Sequence, residues 1–246
     1  MRRFFIEPVA DLHYPVVLDR EEAHHCLRVL RLQHGAEVEL LDGIGGLYRG
    51  SIELLGRQVA IRLQEKIAQE PEPAHPVWLF QGDLKGKKMD ELVQRCTELG
   101  VTRFLPFTSR RSQGRIAGER WARKQQRWRD LVRAACKQSG RLRLMDTAQQ
   151  RPIGDCLAEE LPAATLKLLF WEEEKTRRLT AVDWPAADRL AAVAVMMGPE
   201  GGFAEGEVEQ ARHHGWTSVS LGSGILRAET ATIAAVAIVQ HRLGAI

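Results

Sequence analysis

The sequence predicts two domains, a small β-barrel followed by an α/β domain built on a mostly parallel sheet. One observation is a break at residues 68–76, where three prolines and two glutamates are typical of an extended linker. The other is a change of pattern at that break, from closely spaced apolar stretches to alternating strands and helices. We therefore expect a barrel domain over residues 1–70 and a second domain over residues 74–246.

Before the linker, one short helix precedes three apolar stretches in loose alternation, separated by glycine-containing turns. A helix with closely spaced antiparallel strands favours a small β-barrel. A core of that size is marginal alone and typical of a docking module. The helix is expected over residues 19–32, and the strands over residues 36–41, 47–55 and 58–67.

After the linker, strands and helices alternate, which predicts a parallel sheet covered by helices on both faces. Residues 191–197 are apolar throughout, as expected of a strand that is buried on both sides. The expected strands are 77–81, 103–107, 166–170, 191–197 and 217–221, and the expected helices are 87–99, 118–138, 205–214 and 229–243.

Composition places the chain among globular proteins, because 44% of its 246 residues are hydrophobic and 27% are charged. Its apolar runs are too short to span a bilayer, and Glu7 and Pro8 interrupt the start of the chain before a signal peptide could develop. Four widely spaced cysteines and two adjacent histidine pairs lack metal-ligand spacing. We expect a cytoplasmic protein with no membrane association, no disulfide and no bound metal.

Positive charge is concentrated in residues 103–143, which contain 13 Lys and Arg against 2 Asp and Glu. The rest of the chain contains 22 basic and 30 acidic residues. Such segregation favours a surface that binds a polyanion, and arginine, the better bidentate phosphate ligand, outnumbers lysine there by 11 to 2. A solvated, arginine-rich helix face is the alternative interpretation.

Two glycine-containing loops each follow a predicted strand and precede a predicted helix, over residues 197–203 and 221–231. Ligands of open α/β sheets bind outside the carboxyl ends of the strands, where such loops lie. Ordinary turns would also use Gly-Pro and Gly-Gly, but Glu200, Arg227 and Glu229 within the loops favour a ligand site. Residues 82–88 are one residue short of a P-loop and lack its final Ser or Thr, and Arg227 occupies the position of the third glycine of a dinucleotide fingerprint.

The loops Gly198-Pro-Glu-Gly-Gly202 and Leu221-Gly-x-x-Ile-Leu-Arg-x-Glu-Thr-Ala231 resemble the signature loops of the RsmE family. These are ribosomal RNA uridine-N3 methyltransferases of the SPOUT superfamily. Further matches at residues 2–5, 86–101 and 137–141 extend the resemblance over essentially the whole chain. One departure is Gly222-Ser-Gly224, where a proline and a basic residue are more usual.

The resemblance implies a PUA-like barrel followed by a SPOUT domain whose C-terminal part forms a trefoil knot. It also implies a homodimer with the cofactor pocket in the knot, beside the subunit interface. The methyl donor would be S-adenosylmethionine, and the substrate a uridine of small-subunit (16S) ribosomal RNA near the decoding region.

Site roles can be assigned as hypotheses. Arg227 is expected beside the uracil carbonyls, and Glu200 or Glu229 would accept the N3 proton, although either could instead orient Arg227. Glu229 and Thr230 would also suit the first turn of a helix without any catalytic role. The cofactor is expected to contact Phe170, Trp171, Met197, Gly198, Gly201, Gly202, Leu221, Gly222, Leu226, Thr230 and Ala231.

RNA phosphates are expected to contact the basic segment and the barrel side. The expected residues are Arg2, Arg3, Arg28, Arg31, Arg110, Arg111, Arg115, Lys137 and Arg141, with Ser139 on the same surface.

Two rival functions remain open on sequence alone. One is a non-catalytic RNA-binding ribosome-assembly factor, and the other is a methyltransferase acting on transfer RNA or on ribose oxygens.

Overall fold

The computed structural model describes residues 2–9, 11–56, 58–112 and 119–246, and its chain forms two compact units. Unit 1 contains Met1–Glu72 and Arg133–Leu144, and unit 2 contains Pro73–Val132 and Met145–Ile246. Residues 133–144 are contiguous with the second domain in sequence, and we expected them there. They instead pack within unit 1, because the end of a long helix and the following segment contribute ion pairs and hydrogen bonds to it.

Unit 1 is a five-stranded mixed sheet in the order β1-β3-β4-β5-β2, in which β1 runs parallel to β3 and the other pairs are antiparallel. Its strands are β1 (Arg2–Phe5), β2 (Val16–Val17), β3 (Glu37–Leu41), β4 (Gly46–Leu55) and β5 (Gln58–Gln69).

The helix expected over residues 19–32 is shorter and changes type along its length. Asp19 caps α1 (Arg20–His24) by accepting a hydrogen bond from the Glu22 N–H at 2.8 Å. The chain then continues as a π-helical turn over His25–Val29. One face of residues 20–29 is buried, and Glu22 of α1 forms an ion pair with Lys137 at 2.5 Å.

Unit 2 is built on a seven-stranded, fully parallel sheet in the order β12-β10-β11-β6-β7-β8, with β9 also paired to β7. Its strands are β6 (Val77–Gly82), β7 (Arg103–Thr108), β8 (Asp146–Thr147), β9 (Arg151–Pro152), β10 (Thr165–Phe170), β11 (Ala192–Met197) and β12 (Thr217–Val219). Its helices are α2 (Lys88–Glu98), α3 (Glu119–Ser139), α4 (Ile153–Leu157), α5 (Glu205–His213) and α6 (Ala228–Arg242), the last residues of α3 belonging to unit 1.

The centre of this sheet follows from its apolar sequence. All six residues of β11 are buried, and β10 and β6 lie on either side of it. The core on one side of the sheet includes Phe80, Phe107, Phe203 and Trp216, with the Phe80 and Trp216 rings edge to face at 5.3 Å. Helix α6 packs against β11 and α2.

Sequence analysis did not predict β1, β2, β8, β9 or α4, each of which is five residues or shorter.

No helix in the described part of the chain has the length and apolar character that crossing a membrane requires. The cysteines at positions 26, 96, 136 and 156 are free and buried, and burial raises the thiol pKa to about 11 in both Cys136 and Cys156. Over the same described residues, no group of three His, Cys, Asp or Glu side chains could hold a metal ion.

Candidate functional site between two glycine loops

The carboxyl ends of β10, β11 and β12 lie at one edge of the parallel sheet, and both glycine loops begin there. A cavity opens between the loops. It is lined by ten of the residues that the sequence singled out, namely Phe170, Trp171, Met197, Gly198, Glu200, Gly202, Leu221, Gly222, Leu226 and Ala231.

Four other predicted residues lie outside this lining. Gly201 lines a neighbouring cavity instead. Arg227 is the exposed residue before the first turn of α6, and Glu229 and Thr230 lie in that first turn. The structure therefore brings the expected backbone cradle together and leaves Arg227 at its rim.

Two glycines are required by close approach. Gly202 has φ +69°, and a Cβ there would overlap the carboxylate of Glu172, another residue of the cavity wall. A Cβ on Gly82, at the end of β6, would overlap the backbone nitrogen of Pro199. The first glycine loop is therefore seated directly over the end of β6.

A buried amide joins the first glycine loop to α6, and sequence analysis gave it no role. Gln81 is fully buried, and its Nε2 donates to the carbonyl of Gly82 at 2.9 Å and to that of Gly198 at 3.3 Å. Its Oε1 accepts from the Thr232 hydroxyl of α6 at 2.8 Å. The only sequence signal for this role is a polar residue that ends an apolar strand and precedes a glycine.

Lys88, at the start of α2, lies between the two candidate carboxylates. Its Nζ is 3.0 Å from Glu200 Oε1 and 3.3 Å from Glu229 Oε2. Hydrogen bonding, first to Glu200, raises the pKa of Lys88. The pKa of Glu229 is lowered, first by a hydrogen bond from its own backbone N–H and then by Lys88. Sequence analysis quoted Lys88 inside a family motif but gave it no role.

A second cavity adjoins the first through Glu200, which lines both. Three cationic side chains line it, Lys85, Arg111 and Lys124, together with Asp83. The Asp83 Oδ1 atom is buried and accepts no hydrogen bond from the described residues, and Lys124 Nζ lies 3.6 Å away. Burial raises the pKa of Asp83, and Lys124 partly offsets that increase. Sequence analysis missed Asp83 and Lys124.

The predicted RNA-contacting residues differ in how available they are. In unit 1, Arg2, Arg28 and Arg31 are exposed. Arg3 is paired with Glu39 and Lys137 with Glu22. Arg141 is half-buried, its N–H donates to the Ser139 hydroxyl, and desolvation lowers its pKa.

In unit 2, Arg110 and Arg111 are exposed, and Arg111 Nη1 donates to the carbonyl of Gly201 at 2.8 Å. Arg115 lies outside the described residues.

Comparison with known proteins gives concordant matches. A family model described as an RNA methyltransferase domain matches residues 70–240, and one described as an RNA methyltransferase PUA domain matches residues 18–61. The Ribosomal RNA small subunit methyltransferase E of Synechocystis sp. is 32% identical over 96% of this chain and 76% of its own length. The Mycobacterium bovis protein of the same name is 30% identical over 96% of this chain and 88% of its own.

Solved structures agree. The Ribosomal RNA small subunit methyltransferase E of Neisseria gonorrhoeae, bound to S-adenosyl methionine, has a TM-score of 0.86 at 30% identity, with 98% of each chain covered. A Legionella pneumophila structure, in complex with SAM as its bound cofactor, has a TM-score of 0.87 at 28% identity, with 98% of this chain and 97% of that chain covered.

The parallel sheet, its two glycine loops and these matches define an S-adenosylmethionine-dependent RNA methyltransferase with a PUA-like domain. Within that class, the chain belongs to the ribosomal RNA small subunit methyltransferase E family. The cavity suits the cofactor, because Gly198 and Gly202 leave backbone groups accessible and Met197 and Leu226 supply apolar surface.

Proposed function

We propose that the protein transfers the methyl group of S-adenosylmethionine to N3 of a uridine in small-subunit (16S) ribosomal RNA, in the cytoplasm. The observation that carries the proposal is the position of Glu200, whose carboxylate lines both the cofactor cavity and the adjoining cationic cavity. Uridine N3 must lose a proton before it can attack a methyl group. A carboxylate between donor and acceptor suits that task.

The two candidate carboxylates have different roles in this proposal. Glu200 lines both cavities, whereas Glu229 lines neither of them. We assign proton acceptance to Glu200, and we assign to Glu229 the orientation of Lys88 and the support of Arg227. Arg227, exposed beside the cavity, would stabilise the negative charge that develops on the uracil carbonyls.

The cofactor would lie in the cavity between the loops and supply an activated methyl group, so the protein mainly positions and orients. In this arrangement the backbones of Gly198, Gly202 and Gly222 contact the cofactor, with apolar contact from Leu221, Leu226 and Ala231. Phe170, Trp171 and Met197 complete the walls. Gly201 and Thr230 would also help to bind the cofactor, although both lie outside the lining of this cavity.

The exposed arginines of unit 1, Arg2, Arg28 and Arg31, together with Arg110 and Arg111 of unit 2, would bind the RNA backbone. Arg3, Lys137 and Arg141 are engaged within unit 1 and would mainly support that surface.

We further propose that the chain forms a trefoil knot around the connection between β10 and β11. Ser220 donates to the Arg177 carbonyl and accepts from the Leu179 N–H, each at 2.9 Å, so the end of β12 runs beside this connection before α6 begins. When both ends are pulled in optical tweezers, the extension of the unfolded chain should remain below its full contour length of about 3.3–3.6 Å per residue. Extension to full length would refute the knot.

A homodimer is proposed from α6. The middle of this helix, residues 231–239, is apolar except for Thr232, as expected of a helix segment that is buried on several sides, yet Ile238 is 42% exposed. Light scattering should give twice the chain mass of 27.7 kDa, and Ile238→Glu should give the single-chain mass. A monomeric parent protein would contradict this proposal.

The deciding experiment incubates the protein and labelled S-adenosylmethionine with small ribosomal subunits from a strain that lacks it. The product nucleoside is identified by mass spectrometry. N3-methyluridine is the expected product. A different methylated nucleoside would overturn the substrate assignment, and no transfer with no cofactor binding would favour an assembly factor.

A further inference from the structure

The second cavity contains a mixture of charges that the methyl-donor site does not use. Asp83 follows β6 directly, and its backbone N–H donates to the Phe107 carbonyl at 2.9 Å, which fixes its backbone at the sheet edge. Its side chain lines the cavity, as do Lys85, Arg111 and Lys124. Glu200, assigned above to the N3 proton, is the other carboxylate of this cavity, where it is shared with the first. Two carboxylates among three cations predict a ligand that is anionic overall and that presents, besides the N3 proton, one hydrogen-bond donor to Asp83.

The hydrogen-bond donor that Asp83 would bind is identified by elimination among the groups of the target nucleotide. A phosphate offers no proton near neutral pH, and a carboxylate would repel it. The N3 edge of the base must face the methyl donor in the first cavity, so it cannot also face Asp83. Within a chain of RNA the 3′ and 5′ oxygens are esterified. The 2′-hydroxyl is therefore the remaining free donor, and carboxylates bind ribose hydroxyls in this way elsewhere.

We propose that the cavity lined by Asp83, Lys85, Arg111 and Lys124 holds the sugar and flanking phosphates of the target nucleotide, with Asp83 accepting a hydrogen bond from its 2′-hydroxyl. The inference rests on the proposed RNA methyl transfer and adds a specificity-determining residue to it. It makes Asp83 the group that distinguishes ribose from deoxyribose at the target, and the three cations the groups that hold its phosphates.

Lys124 positions this carboxylate. Its Nζ lies 3.6 Å from Asp83 Oδ1 and also stands over the Trp128 ring, 4.9 Å from the ring centroid. The ammonium group is thereby held near Asp83 but beyond ordinary hydrogen-bond length, which leaves Oδ1 able to accept a hydrogen bond from the ligand.

The test uses small subunits reconstituted from RNA that carries either ribose or 2′-deoxyribose at the methylated nucleotide. Single-turnover methyl transfer is measured on both. For the parent protein, the deoxyribose substrate should react about tenfold more slowly, the usual effect of losing one hydrogen bond to a charged acceptor. Asp83→Ala should react with both substrates at rates within about twofold of each other, since the acceptor is gone.

Two variants sharpen the result. Asp83→Asn keeps an acceptor oxygen but loses its charge, so it should restore part of the preference for ribose, about threefold. Asp188→Ala makes the matched substitution at an exposed site on a 3₁₀ turn and should keep the full preference. Because each preference is a ratio measured within one variant, a loss of folded protein cancels out.

An equal rate on both substrates for the parent protein would overturn the assignment of Asp83, and so would a preference that Asp83→Ala retains. Failure of the proposed function looks different, because the parent protein would then transfer no methyl group to the ribose substrate either.

Discussion

Two cations stand near the carboxylates of the site, and they are not equally available. Lys88 is held between Glu200 and Glu229, with its Nζ within 3.3 Å of both. Arg227 is exposed and lies where α6 begins. Lys88 therefore joins the two glycine loops, and Arg227 is the cation that can turn toward a substrate.

Replacing Arg227 with alanine should reduce methyl transfer at least a hundredfold, as expected when a charge-stabilising donor is removed. Cofactor affinity should change little, because Arg227 does not line the cofactor cavity. Calorimetric titration with S-adenosylmethionine measures the affinity, and single-turnover assays measure the transfer. Retained turnover would rule out the assigned role.

Gly202→Ala should weaken cofactor binding at least tenfold, because a Cβ at this positive φ would displace the Glu172 carboxylate from the cavity wall. Gly206→Ala is the matched control. Gly206 lies in α5 with open space around its Cβ position, so this change should leave binding intact. Equal binding by both variants would show that the first loop does not need its glycine.

At the scale of elements, the connection after β10 is fixed to β12 by one buried carboxylate. Glu174 accepts hydrogen bonds from the Ser218 hydroxyl, from the hydroxyl and N–H of Thr176, and from the Arg177 N–H. Burial raises the pKa of Glu174, but these hydrogen bonds outweigh burial and lower the pKa to about 2.

Because the folded-state pKa lies below the ordinary value of 4.5, ionised Glu174 stabilises the fold above about pH 4.5, and this contribution is lost as the pH falls toward 2. Glu174→Gln should lower the free energy of unfolding at pH 7 by about 2 to 3 kcal/mol. In this variant the free energy of unfolding should also fall less steeply between about pH 4.5 and pH 2. Urea titrations over a pH series measure both effects. Glu173→Gln, at the exposed neighbour, should behave like the parent protein, and matching curves for both variants would contradict this account.

Elements with strong local periodicity were predictable from the sequence, and elements defined by distant pairing were not. The apolar run of β11 and the capped start of α1 carry their own signals. By contrast, β1 has two arginines followed by two phenylalanines, without alternation, and exists because it pairs in parallel with β3 more than thirty residues later. The glycine loops were found by their composition, but Gln81 and Asp83 acquire their roles only when separate strands meet at one edge.

At the scale of the whole molecule, charge segregation predicts salt-dependent RNA binding. The affinity for small-subunit RNA should fall steeply between low and physiological salt. Replacing exposed Arg28 and Arg31 together with alanine should reduce the slope of log affinity against log salt by about 0.7 to 0.9 per lost phosphate contact. Exposed Arg189, outside the predicted RNA surface, supplies the control substitution, and an unchanged slope in the double variant would remove those two arginines from the interface.

Unit 1 is completed by a segment from the middle of the chain. Lys137 neutralises the buried Glu22, and the Leu142 N–H donates to Glu70 at 2.6 Å. When the first 72 residues leave the ribosome during synthesis, neither partner exists yet, and Glu22 would have to enter the core without its cation. The N-terminal unit therefore cannot finish folding before residue 144 has been synthesised. Completion of the N-terminal unit therefore waits until the first part of unit 2 has also been synthesised, later than for a domain whose residues are contiguous.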